Sequence, residues 1–108
     1  MASPELVVTD ESVGLPPYVM KQLKVVLEAH KTVEAVTLFG SRAKGNYRPN
    51  SDIDLMLTAP DLSWEEFTQI ECEVDELLLP WKVDLVLEHQ VDNRALLDHV
   101  TRVGIRVK

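Results

Sequence analysis

Cys72 is the chain's one cysteine. It excludes an internal disulfide, no Cys/His cluster has zinc-ligand spacing, and a reducing, intracellular setting follows as the default. Positive charge is also scarce. Against 18 Asp and Glu stand 11 Lys and Arg, a net of −7, so long-range steering repels nucleic acid and anionic membrane surfaces alike. No apolar run approaches the ~20 residues of a spanning helix. The opening MASPELVVTDESVGLPPYVM lacks both a basic n-region and an apolar h-region. The expected compartment is the cytoplasm, with no membrane and no direct nucleic-acid partner.

What is present suits one ordinary globular domain over residues 1–108, with 45% hydrophobic and 27% charged residues. A chain of this size buries roughly two-thirds of the surface its unfolded form exposes. It therefore folds alone but has no mass for a separate substrate domain. A large acceptor has to be held on a shallow surface or by another subunit, and a homo-oligomer is open.

Proline and glycine are sparse enough to punctuate the elements. Residues 1–15 read as a loose N-terminal segment, after which Pro16 and Pro17 open a helix with Val19, Leu23, Val26, Leu27 and His30 on one face. Ala35 to Phe39 reads as a buried strand ending at Gly40, and Ser41 to Asn50 as a polar, basic loop. Asp52 to Leu57 alternates with period two, placing Asp52, Asp54 and Met56 on one face. Ser63 and Glu66 suggest a capping box for a helix whose stripe is Trp64, Phe67, Ile70, Val74, Leu77 and Leu78, stopped by Pro80. Lys82 to Leu87 reads as a strand. Asp92 is expected to cap a last helix that Gly104 ends before a short strand, Ile105 to Val107. The fold class is α/β (α+β): a small mixed sheet with helices packed on it, expected on one face.

The chemistry lies in Gly40-Ser41-Arg42-Ala43-Lys44-Gly45-Asn46-Tyr47-Arg48-Pro49-Asn50-Ser51-Asp52-Ile53-Asp54-Leu55. Gly40 lets backbone N–H groups approach phosphate oxygens and the Ser41 hydroxyl adds a donor. Arg42, Lys44 and Arg48 concentrate positive charge as a triphosphate requires, although each also reads as a solvated loop charge; Arg42, next to the serine, is the first candidate. Ser51 reads either as a second phosphate or ribose donor or as a turn residue. Asp52 and Asp54, two apart on a strand, point to one side and can ligate one hard cation. Asp84, the lone acid among Val83, Leu85, Val86 and Leu87, is a third metal ligand if its strand lies beside the second. Three aspartates so placed could hold two Mg²⁺ around a reacting phosphate.

Gly40-Ser41, ten residues, Asp52-Ile53-Asp54 and a later Asp84 between hydrophobic residues resemble the signature of the DNA polymerase β-like nucleotidyltransferase superfamily. GSRAKGNYRPNSDIDL is similar to its minimal nucleotidyltransferase (MNT) branch, over about Pro16 to Gly104. The resemblance implies a polymerase β-like fold and Mg²⁺-dependent transfer of AMP from ATP. It places Gly40 and Ser41 at the triphosphate, makes Asp52, Asp54 and Asp84 metal ligands, and gives Asp84 the proton of the attacking hydroxyl. It further implies an all-helical HEPN-domain partner, a toxin whose tyrosine is adenylylated, which makes the chain an antitoxin. Two alternatives stay open: an idle MNT-like antitoxin that neutralises by binding, and an enzyme for a small acceptor such as an amino sugar.

The other notable residues have plain readings. His30 is a packed or helix-capping residue, His89 and His99 have no partner at ligand spacing, and Trp64 and Trp81 anchor a helix to the sheet. Cys72 lies on the polar side of its helix, and the acids from Glu65 to Glu76 form a solvated face.

Overall fold

The computed structural model describes residues 13–108. Helix α1 (Pro17–Glu28) is followed by strand β1 (Ala35–Phe39), a one-turn helix α2 (Gly40–Lys44) and strand β2 (Ile53–Thr58). Helix α3 (Trp64–Asp75) crosses to strand β3 (Val83–Leu87). A 3₁₀ turn (Glu88–Gln90), helix α4 (Arg94–Val103) and strand β4 (Ile105–Arg106) complete the chain. The sheet order is β3-β2-β1-β4, with β2 and β3 parallel and the other pairs antiparallel.

The two faces of this sheet are unlike, because strand side chains alternate. Val36 and Leu38 of β1 and Ile53, Leu55 and Leu57 of β2 are all 0% exposed. They share one core with Val19, Leu23 and Leu27 of α1 and Phe67, Ile70 and Val74 of α3. Thr37 and Phe39, Asp54 and Met56, and Asp84 and Val86 point to the opposite face. The expectation of helices on one face therefore needs correction. Helix α4 lies on the second face: a Cβ on Gly104 would strike Thr37, and the His99 ring meets Phe39 edge-on with centroids 6.3 Å apart.

Boundaries shifted where local chemistry competed. Ser63 caps α3, accepting the Glu66 N–H at 3.1 Å, but the Glu66 carboxylate turns to His30 and Thr32 instead of closing the box. Asn93, not Asp92, caps α4 by accepting the Leu96 N–H. The supposed loop after Gly40 begins as a helical turn. Trp64 and Leu78 leave the apolar stripe, at 69% and 86% exposed; Leu78 lies beyond the helix with φ 53°. Val13 and Leu15, at 1% and 4% exposed, belong to the core, so the loose segment does not extend through residues 13–15. Its residues 1–12 lie outside the described residues.

His30, just past α1, fastens the two helices of the core face. Its Nδ1 lies 2.8 Å from Glu66 Oε2 and its Nε2 2.7 Å from Glu73 Oε1, and Thr32 donates to Glu66. Lys108 Nζ donates to the Leu27 and His30 carbonyls, finishing the C-terminus of α1. Burial pulls the imidazole pKa down, but the bonds to Glu73 and Glu66 outweigh it and the net shift is upward from 6.5. The bond to His30 in turn lowers both carboxylates from 4.5.

The raised imidazole contributes stability that is complete below 6.5 and lost as pH rises through the folded value. The lowered carboxylates contribute stability complete above 4.5 and lost as pH falls through theirs. The clamp is therefore complete between these limits. Melting temperatures measured across roughly pH 4 to 9 should peak in that window, and His30→Ala should flatten both flanks. An unchanged profile in the variant would show that other groups set the pH dependence.

Candidate active site

Asp54 sits in a central strand and is opposed on one side by Phe39 of β1 and on the other by Asp84 of β3. The parallel register thus brings side by side two acids thirty positions apart in the chain. Asp52 lies just before β2 and is exposed. Burial raises the Asp54 pKa from 3.8; the charges of Asp84 and Asp52 and a hydrogen bond with Asp84 add to this, and His99 opposes it. A carboxyl so placed is stabilised by a proton or by a cation.

The residues fit a hard divalent cation by the chemistry of their donors: carboxylate oxygens only, with Asp54 placed so that its own charge is disfavoured. Among the described residues no three His, Cys, Asp or Glu side chains are already gathered as a metal-binding group. Asp54 and Asp84 are paired across the parallel register, and Asp52 is exposed just ahead of β2.

Gly40 turns the chain from β1 into α2 at φ 78°, in the left-handed region that favours glycine. A Cβ there would land on Asp54 Oδ2. The glycine is thus required by the carboxylate that packs against it as well as by the turn. Gly40→Ala should introduce roughly 1–3 kcal/mol of strain and, by displacing Asp54, slow transfer by about 10²-fold. Thermal melts and transfer rates measured in parallel would show it; a variant with parental rate would separate the turn from the reaction.

Gly40 differs from expectation in one respect: its N–H is donated to His99 Nε2 at 3.1 Å. Ser41 is the half-exposed donor of the turn, and among the described residues its hydroxyl has no hydrogen-bond partner. Ser51 Oγ accepts the Arg48 N–H at 2.8 Å, which is the turn reading; the hydroxyl proton remains to donate.

Arg42 requires a correction. It is 1% exposed, and its guanidinium is committed to protein carbonyls. Nη1 donates to Val13 and Gly14, Nη2 to Pro49 and Nε to Ser51. Tyr47 and Trp81 lie against it, with ring centroids 5.2 and 5.9 Å away. Trp81 Nε1 also donates to the Pro49 carbonyl at 2.8 Å. Arg42 therefore ties the Arg48–Ser51 turn to Val13 and Gly14 and does not face a phosphate. Lys44 and Arg48, both exposed, are the cations of this stretch that face solvent.

Sequence reasoning missed His99 and Phe39, which wall the site, and Tyr47 and Trp81, which back Arg42. His99 follows Leu96 by three on the inner stripe of α4. That signal becomes readable only once α4 is known to cover the acid-bearing face.

The acids lie on the face of the sheet that α4 also meets. A groove of about 310 Å³ between α3 and β3, lined by Glu71, Cys72, Val83 and Leu85, is on the other face of the sheet. No helix among the described residues is long and apolar enough to cross a membrane.

Paired carboxylates beside a Gly-Ser turn, on a small mixed sheet, suit nucleotidyl transfer. The family described as "Polymerase beta, Nucleotidyltransferase" matches residues 21–108, and the chain belongs to it. It is 31% identical over 83 residues, 68% of this chain and 83% of the other, to a Methanocaldococcus jannaschii protein named "Putative protein adenylyltransferase".

Solved structures share the fold. A chain of a toxin–antitoxin crystallised with AMP-PNP superposes with a TM-score of 0.67 at 24% identity, over 82% of this chain and 72% of that one. A chain of a complex between the tri-AMPylated Shewanella oneidensis HEPN toxin and its MNT antitoxin gives 0.62 at 20% identity, over 84% and 70%.

Proposed function

We propose that this chain transfers AMP from ATP, with Mg²⁺, to a tyrosine hydroxyl of a HEPN-domain protein, and so acts as an antitoxin by protein adenylylation. The observation that carries the reading is the register pairing of Asp54 with Asp84 next to the Gly40-Ser41 turn. The relative named for protein adenylyl transfer and the folds found with an AMPylated HEPN toxin support the choice of nucleotide and acceptor.

Asp52, Asp54 and Asp84 would hold Mg²⁺, which supplies charge neutralisation to the triphosphate. Ser41 offers its N–H and hydroxyl to the phosphates, and Ser51 its hydroxyl proton. Asp84 is on the edge strand, with its side chain 43% exposed. An incoming hydroxyl reaches it there and gives up its proton to the carboxylate. The acceptor oxygen bonds to the α-phosphorus as the bond to pyrophosphate breaks, and pyrophosphate leaves. The exposed edge position of Asp84 suits an acceptor carried on another protein.

The test is incubation with a HEPN partner, Mg²⁺ and α-labelled ATP, with Asp54→Ala as control. Label on a partner tyrosine, absent in the control, is the expected result. A tight complex formed equally by both variants, with no label, would move the reading to neutralisation by binding. Label on a small amino sugar or alcohol instead would identify a small-molecule enzyme.

A further inference from the structure

We infer that His99 is a positioning residue of the nucleotide site, acting through the Gly40 peptide. This rests on the proposed function, in that the site it serves is the one assigned to ATP.

The chain reverses between Phe39, which is extended, and Gly40 at φ 78°. At this reversal the Gly40 N–H leaves the strand ladder, and a peptide without a partner would be free to tilt. His99 Nε2 accepts it at 3.1 Å. An N–H donor requires a lone pair, so Nε2 is unprotonated and the ring proton is on Nδ1. The imidazole is itself held, with its ring at 81° to Phe39.

Gly40, whose N–H the ring accepts, itself packs against the Asp54 carboxylate. Helix α4 thus reaches across to the sheet and holds the turn that presents Ser41 and, through Gly40, backs the carboxylate. Fixing the Phe39–Gly40 peptide fixes the direction of the next donors, the Ser41 N–H and hydroxyl. Orienting groups one step removed from a ligand commonly change affinity or activity by about 10–100-fold when lost.

Two variants separate this role from simple packing. His99→Phe keeps a ring against Phe39 but offers no acceptor, whereas His99→Gln puts an amide oxygen within reach of the lost Nε2. We would measure Mg-ATP binding by calorimetry and KM and kcat for transfer. In ¹⁵N-labelled, nucleotide-free protein we would also follow the Gly40 amide resonance.

The Phe variant should move that resonance and raise Kd and KM for ATP by about tenfold, with kcat and Tm little changed. The Gln variant should return both to within about twofold of the parent. A Phe variant that binds ATP like the parent would overturn the inference, as would equal losses in Phe and Gln, which packing alone would produce. A parent that does not bind Mg-ATP would defeat the proposed function instead. The Gly40 resonance, read without nucleotide, would then decide separately whether His99 holds the turn.

Discussion

Arg42→Ala should destabilise the fold by roughly 3 kcal/mol, from the loss of hydrogen bonds made by a charged donor, at about 1.5–3 kcal/mol, and of the packing of its stem. That is a large part of the 5–15 kcal/mol typical of a whole domain. The guanidinium donates to carbonyls of Val13, Gly14, Pro49 and Ser51, and its removal leaves the buried Val13 carbonyl without its donor. Arg42→Met, which keeps the aliphatic stem between Tyr47 and Trp81, should recover only the packing share. Arg42→Lys should not substitute, because one ammonium cannot reproduce a planar fork of donors. Urea denaturation decides the matter: an ordinary loop charge would change stability by no more than about 0.5 kcal/mol.

Asp54→Asn has the opposite sign for stability and the largest effect on chemistry. The Asp54 pKa is raised in the fold by burial and by Asp84 and Asp52. Its ionised form therefore costs stability at pH above the folded value, and that cost disappears as pH falls through it. The amide removes the charge while keeping the shape that packs against Gly40, so the metal-free variant should melt higher than the parent. Mg²⁺ should then invert the order. The parent gains about 2.7 kcal/mol at a hundred times its Kd, whereas the variant, short of a ligand, gains much less. Transfer should fall by about 10³-fold or more. Melting curves with and without Mg²⁺, beside a transfer assay, test all three; a metal-free variant that melts lower would make Asp54 a structural residue.

These two positions also show what was legible in the sequence. Asp54 declares itself because a period of two is local: once Asp52 to Leu57 is a strand, its acids share a face. Asp84 followed because a lone acid in an apolar strand stands out, and the parallel register then set it opposite Asp54. Arg42 could not be read in the same way. In one dimension it is a cation beside a serine in a polar stretch, while its partners include Val13, Gly14 and Trp81, far on either side of it. Burial of a charge depends on acceptors gathered from elsewhere in the chain.

The face on which α4 lies was hidden for a similar reason. An amphipathic stripe says that a helix has an inner side, not which side of a sheet it meets, and His99 was lost with that choice. Asn93 displaced Asp92 as the cap because the two are nearly equal in chemistry and adjacent in position.

Helix α4 buries none of its residues fully, while the strands it leans on are sealed from the other side by α1 and α3. Local opening is easiest where few apolar contacts must be broken. The wall of the site should thus lift at a small fraction of the free energy that unfolds the sheet. Folding and site geometry would then draw on different reserves: mutations along Leu96, Val100 and Val103 should loosen the hold of His99 on the Gly40 turn, with the two-helix face still holding the chain together.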